Sequence, residues 1–227
     1  TGRRVRFEIG VAVIRLGAEM QRLRLKYGRG EAARFISHLD MMRAWERIFR
    51  RAGVPLDYTK GYTPHPRLAV ASPLPVGFTS SGELMDIWLR KWMPPAAAYM
   101  TVCEQLPQGF TLVEVDEVPE TLGSLQSKVT GASYSCGAYH PAGIEAAQDA
   151  VLSFLQGDSC PYEYARGHKT RSIDLRPHVR QLAVREDVNG MCRVALEVFH
   201  GQSGSIRPDH LLEVLVGPRL AVSPLRE

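Results

Sequence analysis

The sequence predicts an α+β protein of two tandem ferredoxin-like units, each a βαββαβ arrangement with helices on an antiparallel sheet. Three observations carry the prediction. Between Arg22 and Val118, strand-like alternation and helix-like periodicity follow one another in the order strand, helix, strand, strand, helix, strand. The same order returns more loosely after Ala132 with little residue identity, so the repeat is one of topology. Between the two stretches, residues 119–128 are polar and rich in Ser, Gly and Thr, the composition of a boundary. The units are therefore placed at 21–119 and 120–227. Residues 1–20 are read as an N-terminal extension, because the run before Met20 sits poorly with the strand that follows it.

Each element has its own signal. Arg22 to Tyr27 alternates, with Leu23, Leu25 and Tyr27 on one face and Arg22, Arg24 and Lys26 on the other, a half-buried strand with a basic outer face. Ser37 to Ala52 reads as a helix: Ser37 caps it, Asp40 favours its first turn, and Gly53 followed by Pro55 ends it. Its expected buried stripe is Leu39, Met42, Trp45, Ile48, Phe49 and Ala52. A short strand is expected at Leu56–Tyr58, then the loop T-K-G-Y-T-P-H-P-R, a strand at Leu68–Ser72 and a long connection through the prolines and glycines of 73–82. Glu83–Arg90 alternates as a strand, Pro94–Leu106 reads as a helix, and Phe110–Val118 as the last strand.

In the second unit, Ala132–Tyr139 reads as a strand and Pro141–Gln156 as a helix. A long segment spans Arg171–Arg185, Cys192–Phe199 alternates cleanly, Pro208–Val216 is a helix, and Arg219–Ser223 is the closing strand.

Composition bounds the function. The 227 residues carry a formal charge of +4 and a pI near 9.0, mildly basic, with the early cations clustered rather than spread. No apolar run approaches the roughly 18 residues of a membrane span, and no secretion signal is recognisable, so a cytoplasmic protein is expected. Cys103, Cys136, Cys160 and Cys192 are widely spaced, which argues against a zinc or iron–sulfur site within this sequence; no metal or cofactor is expected.

The richest candidate constellation is basic and aromatic. Arg24, Lys26, Arg43, Arg47, Lys60, Arg67, Lys169, Arg171 and Arg176, with His65, would meet phosphates. Tyr58, Tyr62 and Trp88 would stack on unpaired bases. RNA is the partner this chemistry fits, while the plainer reading is a solvated face neutralised by acids such as Glu46 and Asp86. His38 and Asp40, at the start of the first helix, form a second constellation. With Tyr58, Lys60 and His65 brought near by the loop, they would supply the base, acid and cation of a metal-independent ribonuclease. The plainer reading makes Asp40 a cap partner. Among the later motifs, K-T-R-S-I-D-L-R (169–176) reads as a phosphate contact or an ion-pair network. G-Q-S-G-S-I-R-P (201–208) fits neither a P-loop nor a dinucleotide fingerprint.

Five motifs in one order carry a family resemblance: I-S-H-L-D (36–40), G-Y-T-P-H-P-R (61–67), P-L-P-V-G (73–77), S-I-D-L-R-P (172–177) and G-S-I-R-P (204–208). They resemble the radical-SAM-linked family described as a DUF2344 domain, over nearly everything after Met20. The resemblance implies a protein encoded beside, or fused to, a radical SAM protein. The three close cysteines of a radical SAM cluster are not in this sequence, so it is similar to the accessory half, without an expected catalytic activity of its own. The expected function is an RNA-binding or substrate-presenting accessory, with a protein-docking scaffold and an endoribonuclease using His38 as alternatives. A looser fold-level likeness is to CRISPR repeat-processing endoribonucleases, in which a first-helix histidine and a late glycine-rich loop stand where His38 and residues 201–205 stand here.

Overall fold

The computed structural model describes residues 20–167, 169–187, 191–199, 206–217 and 225–226. The closing strand expected at Arg219–Ser223, the glycine-rich run 201–205 and residues 1–19 lie outside them. The protein is a mixed α/β structure with antiparallel sheets.

Its first half starts with β1 (Gln21–Arg29), whose Leu23, Leu25 and Tyr27 are buried at alternate positions as the pattern requires. Helix α1 (His38–Arg51) starts on Ser37, whose Oγ accepts from the Asp40 backbone N–H at 3.1 Å and donates to Asp40 Oδ2 at 2.7 Å. Gly53, at φ +67°, then turns the chain away. The inward stripe is Met41, Trp45, Ile48 and Phe49, so the expected stripe was rotated at its start: Leu39 is 58% exposed. Trp45 is the hub of this core, with the rings of Tyr27, Phe49 and Phe110 at 4.9, 5.2 and 5.8 Å.

The half continues with β2 (Leu68–Val70), β3 (Thr79–Leu89), α2 (Pro95–Cys103) and β4 (Phe110–Val118). The expected strand at Leu56–Tyr58 is reduced to isolated bridges, Leu56 with Leu89 and Tyr58 with Pro66.

The second half comprises α3 (Leu125–Lys128), β5 (Gly131–Ala138), α4 (Gly143–Gln156), β6 (Pro161–Arg166), β7 (Lys169–Asp174), β8 (Val179–Glu186), β9 (Cys192–Phe199), α5 (Pro208–Val216) and β10 (Leu225–Arg226). The order β4-β1-β3-β10-β5-β9-β8, with β2 on β3, makes one eight-stranded sheet. The β6–β7 hairpin is a separate ribbon that the sequence pattern had not marked. β3 and β10 are parallel, and every other pairing among the described strands is antiparallel.

Two apolar clusters form, one under each half. Register puts them on the same side of the sheet. Arg29 is paired with Ser80 and Phe110, and Ser80 and Tyr134 both pair with Arg226, so Phe110 of the first core and Tyr134 of the second share a face. Residues 73–82 are not the mere connection that their prolines and glycines predict. Instead Leu74 and Phe78 enter the second core, with Phe78 edge-on to Tyr134 at 6.1 Å.

On the face opposite the two apolar clusters, Asp86 is fully buried between Arg22 and Arg24. Arg24 donates from Nε to Oδ1 at 2.8 Å, and Arg22 donates from Nε to Oδ2 at 3.0 Å. A buried carboxylate satisfied by two guanidiniums leaves an uncompensated charge when removed. Asp86→Ala is expected to cost about 3 kcal/mol in urea unfolding.

Candidate nucleic-acid interface

The expected cations and aromatics do not form one surface; they fall into separate places. The largest group gathers where α1 and β3 end. The Arg90 amide donates to Pro55 O at 3.0 Å and the Asp57 amide to Trp88 O at 2.7 Å, tying the helix exit to the end of β3. Residues 57–67 then close into a hairpin: the Thr59 amide donates to His65 O at 2.8 Å, the His65 amide to Thr59 Oγ1 at 3.0 Å, and the Arg67 amide to Asp57 O at 2.9 Å. Pro64 and Pro66 keep the residues before them extended. The tip presents Tyr58, Lys60, Tyr62 and His65, all exposed, with the Tyr62 ring fully in solvent at 110% of its reference area. Arg47 and Arg50 of α1 are exposed and make no ion pair among the described residues, while Arg51 donates to Gln105 O at 2.8 Å. Arg90 and Lys91 are exposed at the same end.

The expected basic face of β1 is not open. Arg22 is 3% exposed, and its Nη1 and Nη2 also donate to the carbonyls of Leu122 and Gly123. The segment that carries those carbonyls lies across the sheet: Leu125 is buried and Gln126 Nε2 donates to Val70 O at 2.7 Å. Arg24 is held by Asp86, and exposed Lys26 faces Glu114 in register. Trp88 is not a free stacking platform either, since the guanidiniums of Arg22 and Arg67 each stand 5.0 Å from its ring centroid. Arg67 donates from Nη1 to Asp57 Oδ2 at 2.8 Å, and this hydrogen bond is the chief reason the Asp57 carboxyl titrates below its ordinary range.

His38 is exposed in the first turn of α1, and Asp40 is engaged by Ser37 and, at 3.4 Å, by Arg43. Tyr58, Lys60 and His65 do not approach them. They follow the far end of a 14-residue helix, about 20 Å away along its axis. The general-base constellation read from the sequence is thus not assembled.

In the second half, Arg176 is a helix cap. Its Nε donates to Gly157 O at 3.1 Å and its Nη2 to Leu155 O at 3.3 Å, at the carboxyl end of α4, and the guanidinium lies 5.8 Å from the Phe154 ring. Asp174 accepts from the Cys160 amide and Ser159 Oγ, both at 2.7 Å, and from the Arg176 amide at 3.1 Å. Those bonds, led by Cys160, hold its carboxyl below the usual range. Lys169 and Arg171 are exposed on β7; His168 lies outside the described residues.

A groove that no sequence motif marked lies on the exposed face of the second half's strands, about 700 Å³, floored by Ser133, Ser135, Ala183 and Ala195 and rimmed by Arg185 and Arg193. Its one signal was the polar register of the alternating β9 strand. Arg193 is paired with Asp187 at 2.6 Å and Arg180 with Glu197 at 3.1 Å, so the rim is close to neutral.

A family model for an uncharacterized protein conserved in bacteria matches residues 22–208. No curated protein matches the chain. Among solved structures, a chain of a Cbf5–Nop10–Gar1 complex matches with a TM-score of 0.45 and 9% identity, over 91% of this chain and 47% of that one. A chain of an H/ACA RNP bound to a substrate RNA containing 2′-deoxyuridine matches with a TM-score of 0.42 and 11% identity, over 91% and 45%. The chain spans about half the length of these structures.

Two outcomes follow from the geometry. Arg176→Ala should lower stability by roughly 1–2 kcal/mol in urea unfolding, because the guanidinium is spent on carbonyls at the end of α4. Because its folded carboxyl titrates low, the Asp57 link is fully stabilising above the ordinary carboxylate range and is lost as pH falls through the lower, folded value. Asp57→Asn should therefore remove part of the acid destabilisation seen below about pH 4.

Proposed function

The chain belongs to the DUF2344 family, and from that membership and the basic, aromatic end of its first half we propose an RNA-binding accessory protein of two ferredoxin-like units that presents RNA to a radical SAM enzyme. The observation that carries the RNA reading is the convergence at the end of α1 and β3. Exposed Arg47 and Arg50 near the end of α1, and Arg90 and Lys91 at the end of β3, stand on the segments that join at a closed hairpin offering Lys60, His65 and the open rings of Tyr58 and Tyr62. Cations there would neutralise phosphates and release counterions, and Tyr62 would stack on an unpaired base. The hairpin is closed by its own backbone bonds before any ligand arrives, so little ordering entropy opposes binding. The radical SAM association rests on the five motifs.

A protein-docking role is a second reading, favoured by one observation. At the opposite end of α1, Phe35 (72% exposed), Leu39 and Val76 stand in solvent on segments joined by reciprocal bonds. The Gly77 amide donates to Arg34 O at 2.9 Å and Arg34 Nε to Gly77 O at 2.8 Å.

The test is a gel shift of the whole chain against total cellular RNA at about 50 mM and about 300 mM salt. The expected result is a shift with intact RNA at low salt and a loss of affinity on the order of a thousandfold at high salt, as six phosphate contacts would give. Tyr62→Ala should weaken binding about tenfold, and Arg47→Glu with Lys60→Glu should flatten the salt dependence. No shift at low salt would overturn the RNA reading, and cleaved RNA in EDTA would restore the ribonuclease.

A further inference from the structure

Resting on that RNA reading, we propose that the β6–β7 ribbon is a second contact, one that grips the sugar–phosphate backbone of paired RNA. The ribbon stands apart from the main sheet. Its register pairs Tyr162 with Ile173, Tyr164 with Arg171, and Arg166 with Lys169. One face therefore carries Tyr162 and Tyr164 on one strand and Arg171 and Lys169 on the other, and Glu163 falls on the opposite face with Ala165, Thr170 and Ser172.

The base is fixed. The His210 ring of α5 packs against both Tyr162 and Tyr164, with centroids 4.8 Å apart in each case. The Tyr162 hydroxyl donates to Glu213 Oε2 at 2.5 Å. Burial first, and then this bond, push the Tyr162 phenol up to about 12, so it remains a donor across the physiological range. Asp174 secures the other root through Ser159 and the Cys160 and Arg176 amides. A lone two-stranded hairpin is marginal in water, so these anchors hold it in place. Beyond them Ala165, Gly167, Lys169, Thr170 and Arg171 are all exposed.

With both tyrosine rings taken by His210, the ribbon offers charge and shape rather than a platform for unpaired bases. An A-form helix is recognised in that way, through its backbone, because its deep groove excludes side chains. The 57–67 hairpin has the complementary chemistry, with open rings for unpaired bases. The two elements thus divide a ligand that contains both kinds of RNA.

The test measures binding of the full chain to poly(U) and to the poly(A)·poly(U) duplex over a salt series. Lys169→Glu with Arg171→Glu should lower the duplex salt slope by about 1.5 to 2 and leave poly(U) affinity within about twofold. Tyr62→Ala should do the reverse, weakening poly(U) about tenfold and sparing the duplex. Trypsin cleavage after Lys169 and Arg171 should slow when the duplex is added. An unchanged duplex slope in the ribbon variant, equal losses on both polymers, unaltered cleavage, or wild-type binding to poly(U) alone would each overturn the ribbon contact while the RNA reading stands. Wild-type binding to neither polymer would overturn both.

Discussion

The structure depends on a buried guanidinium. Arg29 is almost fully enclosed, and its Nη2 donates to the carbonyls of Arg34, Pro75 and Phe78 at 3.0, 3.1 and 3.4 Å. Burial lowers its affinity for the proton, with Glu83 opposing that effect, yet an arginine stays charged, so the cation must find acceptors where it sits. It finds them on the two segments that have to meet: the turn leading into α1 and the crossing that carries Leu74 and Phe78 from one core into the other. Gly77, at φ +90°, supplies the turn a side chain would resist, and Arg34 closes the same junction from outside. One charge thereby sets both the entry of the helix and the union of the two halves.

The resemblance motifs acquire a common physical meaning. I-S-H-L-D is a helix start, with Asp40 reciprocating the Ser37 cap. P-L-P-V-G is the crossing held by Arg29 and Arg34. S-I-D-L-R-P is a turn whose Asp174 gathers amides, whose Leu175 is buried and whose Arg176 closes α4. G-Y-T-P-H-P-R belongs to the exposed hairpin, where Tyr62 and His65 stand in solvent while Arg67 is tied back to Asp57. Most of what looked like chemistry in these motifs is architecture, and among them the base-stacking part of the RNA reading narrows to the hairpin left in solvent.

Legibility followed the same division. Phe110–Val118, Cys192–Phe199 and Pro208–Val216 were bounded correctly, because one period governs each and a proline or glycine stands close by. The β6–β7 ribbon was missed because Tyr162 and Tyr164, although they alternate with Glu163 and Ala165, form too short a run to mark a strand, and the facing Lys169–Ser172 is exposed throughout. The fate of Arg22 and Arg24 was illegible for a different reason. Their partner Asp86 lies 64 and 62 positions away on a strand whose register is fixed only in three dimensions. A basic stripe and half of an ion triad look alike until that register is known. The same holds for Arg176, whose acceptors are carbonyls and carry no side-chain signature.

The short strand β10 lies between β3 and β5, so the junction of the halves brings positions 79–80 beside 225–226, a separation of 146 residues (225 minus 79). Contacts that distant in sequence are reached late, since the chain loses loop entropy before the pairing returns any enthalpy. The first core, by contrast, draws on neighbours within about a hundred positions, Leu23 to Leu112. Folding would then proceed in two tempos. The early half forms its own core, and the sheet becomes continuous only when a distant piece of chain arrives to bridge it.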